Sequence, residues 1–218
     1  MTIVHHPSEE TLVDYVAGAL DEGNSLVMAT HISRCPDCQE TVRDLRVIAG
    51  ACLESCQSET VSPSTKAQSM EALNISGGVQ ASVPATTSPP SVGLLSNASE
   101  PLALYDHGPW RRIGPGVQRC DIKVAEGDDT RVFLLKVSAG TQLPEHHHTG
   151  TEWTCVLSGA FTHAEVRFGP GDFDEADASV EHSPVVDDSE DCICLVALNG
   201  NIELRGWFGR LIQPFVRF

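Results

Sequence analysis

Two groups of histidine, cysteine and glutamate have the spacing of metal ligands. The first runs Gly140-x5-His146-x-His148-x3-Glu152-x6-Gly159. His146 and His148 are two residues apart, so on a strand their side chains leave the same face. A turn at Thr149-Gly150 brings the next strand back with Glu152 beside them, and His147 points to the opposite face as a non-ligand. Two imidazoles and a carboxylate converging from such a hairpin suit zinc, iron, manganese, nickel or copper. The competing reading, a surface run of histidines, does not account for the glutamate and the flanking glycines.

The second group is His6-x24-His31-x3-Cys35-x2-Cys38. His31 and Cys35 lie one helical turn apart, and Cys35-x2-Cys38 straddles a helix start. Two thiolates and two neutral imidazoles neutralise Zn2+ and fill its four positions, so this site is closed and structural. His5 and His6 both lie within reach, and His6 is taken as the ligand. The alternative for Cys-x2-Cys is a thioredoxin-type redox pair, which needs a βαβ setting that the surrounding sequence lacks.

The first group resembles the first motif of the cupin family at every fixed position. A cupin draws a further ligand from a second motif, and Gly171-x5-Asp177-x-Ser179-x2-His182-x3-Val186 keeps that spacing. Asp177, Ser179 and Val186 depart from the family's proline, glycine and asparagine. The resemblance implies a β-barrel holding zinc or another divalent transition metal on His146, His148, Glu152 and His182. His163 and His107 have no partner visible in sequence and are assigned structural or surface roles. Cys192 and Cys194 share one face of an apolar strand. They read either as small buried residues or as a redox pair close to the barrel metal.

These groups need elements to hold them. Residues 1 to about 56 read as helical. Ser8 caps a first helix carrying Leu12, Val13, Tyr15, Val16, Ala19 and Leu20. Asp21 to Asn24 reads as a turn, Ser25 to Arg34 as a short second helix, and Pro36 as the first position of a third. Val42, Leu45, Ile48, Ala49 and Cys52 give the third helix an apolar stripe. Gln57 to Glu100 is rich in Ser, Pro, Thr and Ala, with one short helix expected near residues 64–73. From Leu102 the pattern is β: Val132–Val137, Glu152–Leu157, Phe161–Phe168, Asp191–Leu198 and Ile202–Leu204. The expected division is a helical zinc-binding domain over 1–85, with its core in 1–56, a flexible linker over 86–101, and an all-β barrel over 102–218. The fold class is therefore two-domain α+β.

The chain has 218 residues and a formal charge of -16, a balance that disfavours binding to phosphate backbones. No apolar run approaches the ~20 residues of a membrane helix. The first residues carry no basic and apolar leader, so the expected location is the cytoplasm. The eight cysteines are accordingly read as ligands, sensors or core residues rather than disulfides. Asp172 to Asp191 holds nine acids and no Lys or Arg, and reads as a solvated loop.

His31-x3-Cys35-x2-Cys38 with an upstream histidine resembles the zinc-binding anti-sigma factors. Joined to a single cupin, the chain is similar to the ChrR-type group of that family. The likeness runs from Met1-Thr-Ile-x-His-His through Ser25-Leu-Val-Met-Ala-Thr-His31, Phe168-Gly-Pro-Gly-Asp172, Glu181-His-Ser-Pro184 and Asp191-Cys-Ile-Cys-Leu195 to Gln213-Pro-Phe. It implies a regulator that holds a group IV sigma factor inactive through the N-terminal domain. It also implies zinc in both domains, and release when singlet oxygen or an organic hydroperoxide acts on the cupin. The group contacts neither nucleic acid nor membrane directly. The rival expectation is a metal-dependent cupin dioxygenase or isomerase with an N-terminal accessory domain.

Overall fold

The computed structural model describes residues 2–76, 100–125 and 129–204. The chain forms two compact units. Met1–Val47 joins Ala98–Phe218 in one, and Ile48–Asn97 forms the other.

The first unit opens with a segment that leads into α1 (Glu9–Ala17), where Ser8 Oγ accepts the Thr11 N–H and Gly18 ends the helix in the left-handed conformation. α2 (Glu22–Ile32) begins earlier than the sequence suggests. Asp21 accepts the Asn24 N–H as N-cap, so the expected turn at Asp21–Asn24 is the first turn of the helix. α3 (Pro36–Ser55) starts at its proline as expected and contributes buried Cys38 and Val42 to this unit. Leu45 is half-buried, and Val47, Ile48 and Leu53 are exposed. In the second unit α4 (Pro63–Ser76) extends the short helix expected near 64–73, with Met70 and Leu73 exposed.

After the short α5 (Glu100–Ala103) the rest is β. β1 (Arg111–Gly114), β2 (Val117–Ile122), β3 (Arg131–Val137), β5 (Glu152–Ser158), β8 (Phe173–Ala176) and β11 (Cys192–Leu198) form a six-stranded sheet in the order β1-β2-β3-β11-β5-β8. β6 (Phe161–His163), β7 (Val166–Phe168) and β10 (Val185–Val186) form a second sheet. β4 (His146–His148), β9 (Glu181–His182) and β12 (Ile202–Leu204) form a third. The inner faces meet around Phe133, Val156, Phe161, Val186, Val196 and Leu198. This is the antiparallel barrel of the cupin fold.

Two expectations are corrected here. Phe161–Phe168 is a hairpin, not one strand, because Ala164 and Glu165 both take positive φ (46° and 67°) and turn the chain. His146–His148 and Glu152 do not pair as a hairpin either. β4 pairs with β9 and β12, while β5 pairs with β8 and β11. The Thr149–Gly150 corner passes between sheets because backbone bonds tie Thr149 N to Asn201 O and Asn199 N to Thr151 O. Gly140 and Gly159, which bracket the motif, take φ of 68° and 69°, a conformation that costs other residues strain.

β11 is buried along its whole length. Cys192, Cys194, Val196 and Leu198 face the barrel. α2 packs against β11 and β5, which accounts for a continuous apolar strand rather than an alternating one.

Candidate functional site

The first donor cluster sits where the N-terminal segment, the end of α2 and the start of α3 meet. His6 Nδ1 lies 3.3 Å from Cys35 Sγ and 3.5 Å from Cys38 Sγ. His31 Nε2 lies 3.2 Å from Cys38 Sγ. All four donor atoms fall within 4.8 Å of one another. Ligands at the zinc–sulfur and zinc–nitrogen distances stand about 3.3–3.8 Å apart around a tetrahedral ion, so the donors fit such an ion closely. His31 is fully buried, and its Nδ1 donates to the Gly171 carbonyl at 2.7 Å, which leaves the Nε2 lone pair aimed at the thiols. Burial lowers the His31 pKa to about 4 and, with the Cys35 hydrogen bond, raises the Cys38 thiol to about 12.

These values carry a pH prediction. Ion uptake must displace the proton held on Cys38, so apparent affinity rises with pH throughout the neutral range. Competition against a zinc chelator should show affinity falling about tenfold or more per unit as pH drops from 8 towards 6. A pH-independent affinity would exclude a thiolate ligand.

His5 lies outside this cluster. Its Nε2 contacts the Arg167 carbonyl at 3.1 Å and its ring stands 4.5 Å from Phe168. The segment that brings in His6 is fastened to the barrel by one carboxylate. Asp172 Oδ1 accepts the N–H groups of Val4 and His5 at 2.8 and 3.0 Å, and its Oδ2 accepts that of Gly169 at 2.7 Å. Phe173 N donates to His5 O, and a Cβ on Gly171 would lie 2.5 Å from the Ile3 side chain. Arg34 donates to Leu157 O at 3.0 Å. The expectation of a solvated acidic loop therefore fails at Asp172, which is 4% exposed.

The second cluster is assembled across strands. β4 and β9 pair with His146 opposite His182, and alternation puts His148 on the same face. His148 Nε2 stands 2.9 Å from His182 Nε2. The three histidines offer donors within 4.8 Å of one another, and all three are buried. Glu152 is not in that tight group. Its Oε2 lies 3.8 Å from His148 Nδ1. Burial and the nearby Asp174 raise the Glu152 carboxyl to about 8, and burial lowers His148 to about 4 and His182 to about 3. His148 Nδ1 and His182 Nδ1 are buried with no hydrogen-bond partner among the described residues. Neutral imidazoles packed together, next to a half-buried carboxyl, are a poor self-contained arrangement and a suitable donor set for a divalent cation. His147 faces away and pairs with Glu203 at 3.3 Å.

Sequence reasoning missed His163 and Asp174. Their donors and one of His182 fall within 4.8 Å of one another, and the His163 and His182 rings are 4.8 Å apart. No local spacing signals this, because β6, β8 and β9 are brought together only by barrel closure. His107 is bonded locally to Gly108 O. Cys192 and Cys194 hold their sulfurs 3.6 Å apart and line the same cavity as His146, Glu152 and His182. The hydrogen bond with Cys192 and burial hold the Cys194 thiol well above its ordinary value. β8 touches both clusters: Phe173 stands 5.4 Å from the His31 ring, and the next residue, Asp174, lines the cavity.

A helical segment with a His2Cys2 cluster, joined to a cupin barrel with its own histidine cluster, defines a two-part protein with two donor sets able to hold a metal ion. Residues 100–201 match the family described as the ChrR cupin-like domain. The chain is 36% identical over 222 residues to the anti-sigma-E factor ChrR of Cereibacter sphaeroides, with all of both chains covered. Among solved structures it matches the Rhodobacter sphaeroides SigE complex with the anti-sigma ChrR. The identity is 34% and the TM-score 0.70, over 91% of this chain and 100% of that one. An RmlC-like cupin protein from Ralstonia eutropha JMP134 matches at 25% identity and TM-score 0.40, over 46% of this chain and 68% of that one. The chain belongs to the ChrR family of anti-sigma factors. No helix among the described residues is long and apolar enough to cross a membrane.

Proposed function

We propose that this protein binds a group IV sigma factor through its N-terminal helical domain, residues 1–85, and keeps it from RNA polymerase and promoter. The observation that carries this reading is the end-to-end likeness to a curated anti-sigma factor. The surface supports it. Val47, Ile48, Leu53, Val61, Met70 and Leu73 are all exposed on α3, α4 and the stretch between them, more apolar surface than a helical region usually leaves unpartnered. Eight acids against three arginines in the first 50 residues suit a basic, DNA-binding partner. The protein acts as a regulator rather than an enzyme, in the cytoplasm, without touching nucleic acid or membrane itself.

In this reading His6, His31, Cys35 and Cys38 hold a structural zinc ion. His146, His148, Glu152 and His182 hold zinc or another divalent transition metal in the barrel, residues 102–218. The linker expected over 86–101 lies, up to residue 99, outside the described residues. The barrel senses singlet oxygen or a related oxidant, and Cys192 and Cys194 are the thiols such an oxidant would meet in the cavity. Release needs only a change of a few kcal/mol in the stability of the inhibited complex.

Co-expression with the sigma factor encoded beside it, followed by size exclusion, tests the reading. The two should co-elute, and separate elution would sink it. His146→Ala and Glu152→Ala should keep the complex but blunt its dissociation under singlet oxygen. Normal dissociation in both variants would remove the barrel ion from the signal.

A further inference from the structure

We infer that Cys52 and Cys56 form a binding site for a soft metal ion, held between two thiolates at the end of α3. The other six cysteines are buried, so these two are the thiols the chain presents to solvent. Both belong to the second unit. Cys52 sits in the last turn of α3, which ends at Ser55, and Cys56 follows immediately. The Cys56 N–H donates to the Leu53 carbonyl at 3.1 Å, and the Cys56 Sγ lies 3.4 Å from the Cys52 carbonyl oxygen. The second thiol is thereby folded back over the turn that carries the first. Neither belongs to the two donor clusters described above.

The spacing decides what the pair can hold. Residues four apart on a helix carry Cβ atoms ~5–6 Å apart, whereas a disulfide needs ~3.5–4.5 Å. Closing one would unwind the end of the helix. Two metal–sulfur bonds of about 2.3 Å on opposite sides of an ion span ~4.6 Å, which two exposed thiols reach by side-chain rotation alone. Coordination number then selects the ion. Among the described residues no histidine, third cysteine or carboxylate completes a tight donor group with these two. Structural zinc and iron–sulfur sites call for four protein donors. A soft ion satisfied by two thiolates does not, and cuprous copper is the thiolate-selected metal of that kind.

The helix leaves both arms free to turn. The other neighbours of Cys52 one turn away are Ile48, Ala49 and Ser55, all uncharged, and the Ser55 hydroxyl is engaged with the Cys52 carbonyl at 2.7 Å. Uptake of the ion releases one proton from each thiol. Ile48, Cys52 and Cys56 follow one another at intervals of four, so the ion lies in line with an apolar side chain that is itself 59% exposed. Binding stands on the helix alone. Only its consequence, exclusion of the sigma factor from this stripe while the ion is held, rests on the function proposed above.

The test is anaerobic titration of the reduced, zinc-loaded, full-length protein, without sigma factor, with cuprous ion against a coloured cuprous chelator. The parent should take up one equivalent more than Cys52→Ser or Cys56→Ser, at an affinity about a hundredfold or more above what one thiol alone supports. Zinc content should not change during uptake, which separates this site from Cys35 and Cys38. Cys56→Ser/Glu54→Cys keeps two exposed thiols but sets them two residues apart, where they do not face each other. It should take up no more than the single variants. An aromatic disulfide reagent should label two thiols rapidly in the native parent, and one equivalent of cuprous ion should protect both. Thermal unfolding identifies a variant that fails to fold, and the other single variant then serves. Equal uptake by the parent and the folded single variants, uptake matched by loss of zinc, or full uptake by the displaced pair would each overturn the assignment. A protein that takes up the ion here but binds no sigma factor keeps this site and loses the anti-sigma reading, and the reverse outcome does the opposite.

Discussion

The Cys35→Ala/Cys38→Ala double variant should lose one equivalent of zinc and all inhibition of the sigma factor. Both residues are essentially buried, at 1% and 3% exposure, at the junction of three short elements. Of the helices around them, α2 is packed on β11 and β5, whereas α1 and α3 have little else to hold them. α1 buries only Leu12, and α3 buries only Cys38 and Val42. Structural zinc in small domains supplies an apparent ~10–16 kcal/mol, comparable to the whole ~5–15 kcal/mol that keeps a domain folded. Losing two of four ligands removes most of that and leaves the buried His31 imidazole and the exposed His6 converging on nothing. Zinc analysis with far-ultraviolet circular dichroism should show the missing ion and a loss of helix, while the barrel keeps its cooperative transition. A double variant with full zinc content and full inhibition would refute the ligand set.

The second large effect is expected at Asp172, outside both clusters. Asp172→Ala strips the acceptor from three backbone N–H groups, those of Val4, His5 and Gly169. Bonds to a carboxylate are stronger than neutral ones, and unsatisfied part-buried donors are costly, so the loss should be about 3–5 kcal/mol. The first consequence is local. Hydrogen exchange at residues 3–6 should accelerate by about two orders of magnitude or more. The second follows because His6 rides on that segment: zinc in the first cluster should become far easier to extract with a chelator, although no ligand has changed. Asp172→Asn keeps an acceptor oxygen and should recover part of both. If Asp172→Ala left exchange and zinc retention unchanged, the carboxylate would have no fastening role, and the link between the barrel and the first cluster would have to run through the remaining contacts at Gly171, Phe173, Arg167 and Leu157.

How much of this was legible in the sequence depended on the range of the determining contact. His31, Cys35 and Cys38 lie within two helical turns, so their convergence follows from local geometry. The choice between His5 and His6 did not, because it is made by a barrel strand, β7, more than 160 residues away in sequence, whose Arg167 carbonyl engages His5. His146 and His148 share a face by alternation alone. Their meeting with His182 could be anticipated only from resemblance, since the β4–β9 pairing spans 34 residues. The hairpin within Phe161–Phe168 hid because Ala164 and Glu165 are not residues that advertise positive φ. The start of α2 was misplaced because Asp-Glu-Gly-Asn serves equally as a turn or as a cap with a first helical turn. Asp172 was concealed by its acidic neighbours: composition describes the stretch, and a single buried carboxylate departs from it. His163, Asp174 and the cavity are products of barrel closure, to which no local pattern corresponds.

The central claim is that this chain silences a sigma factor, and transcription in vitro tests it most directly. RNA polymerase core, the sigma factor encoded beside this gene and its target promoter should give a transcript that equimolar full-length protein abolishes. The same protein stripped of zinc should leave the transcript intact. An undiminished transcript in the presence of excess zinc-loaded protein would contradict the account.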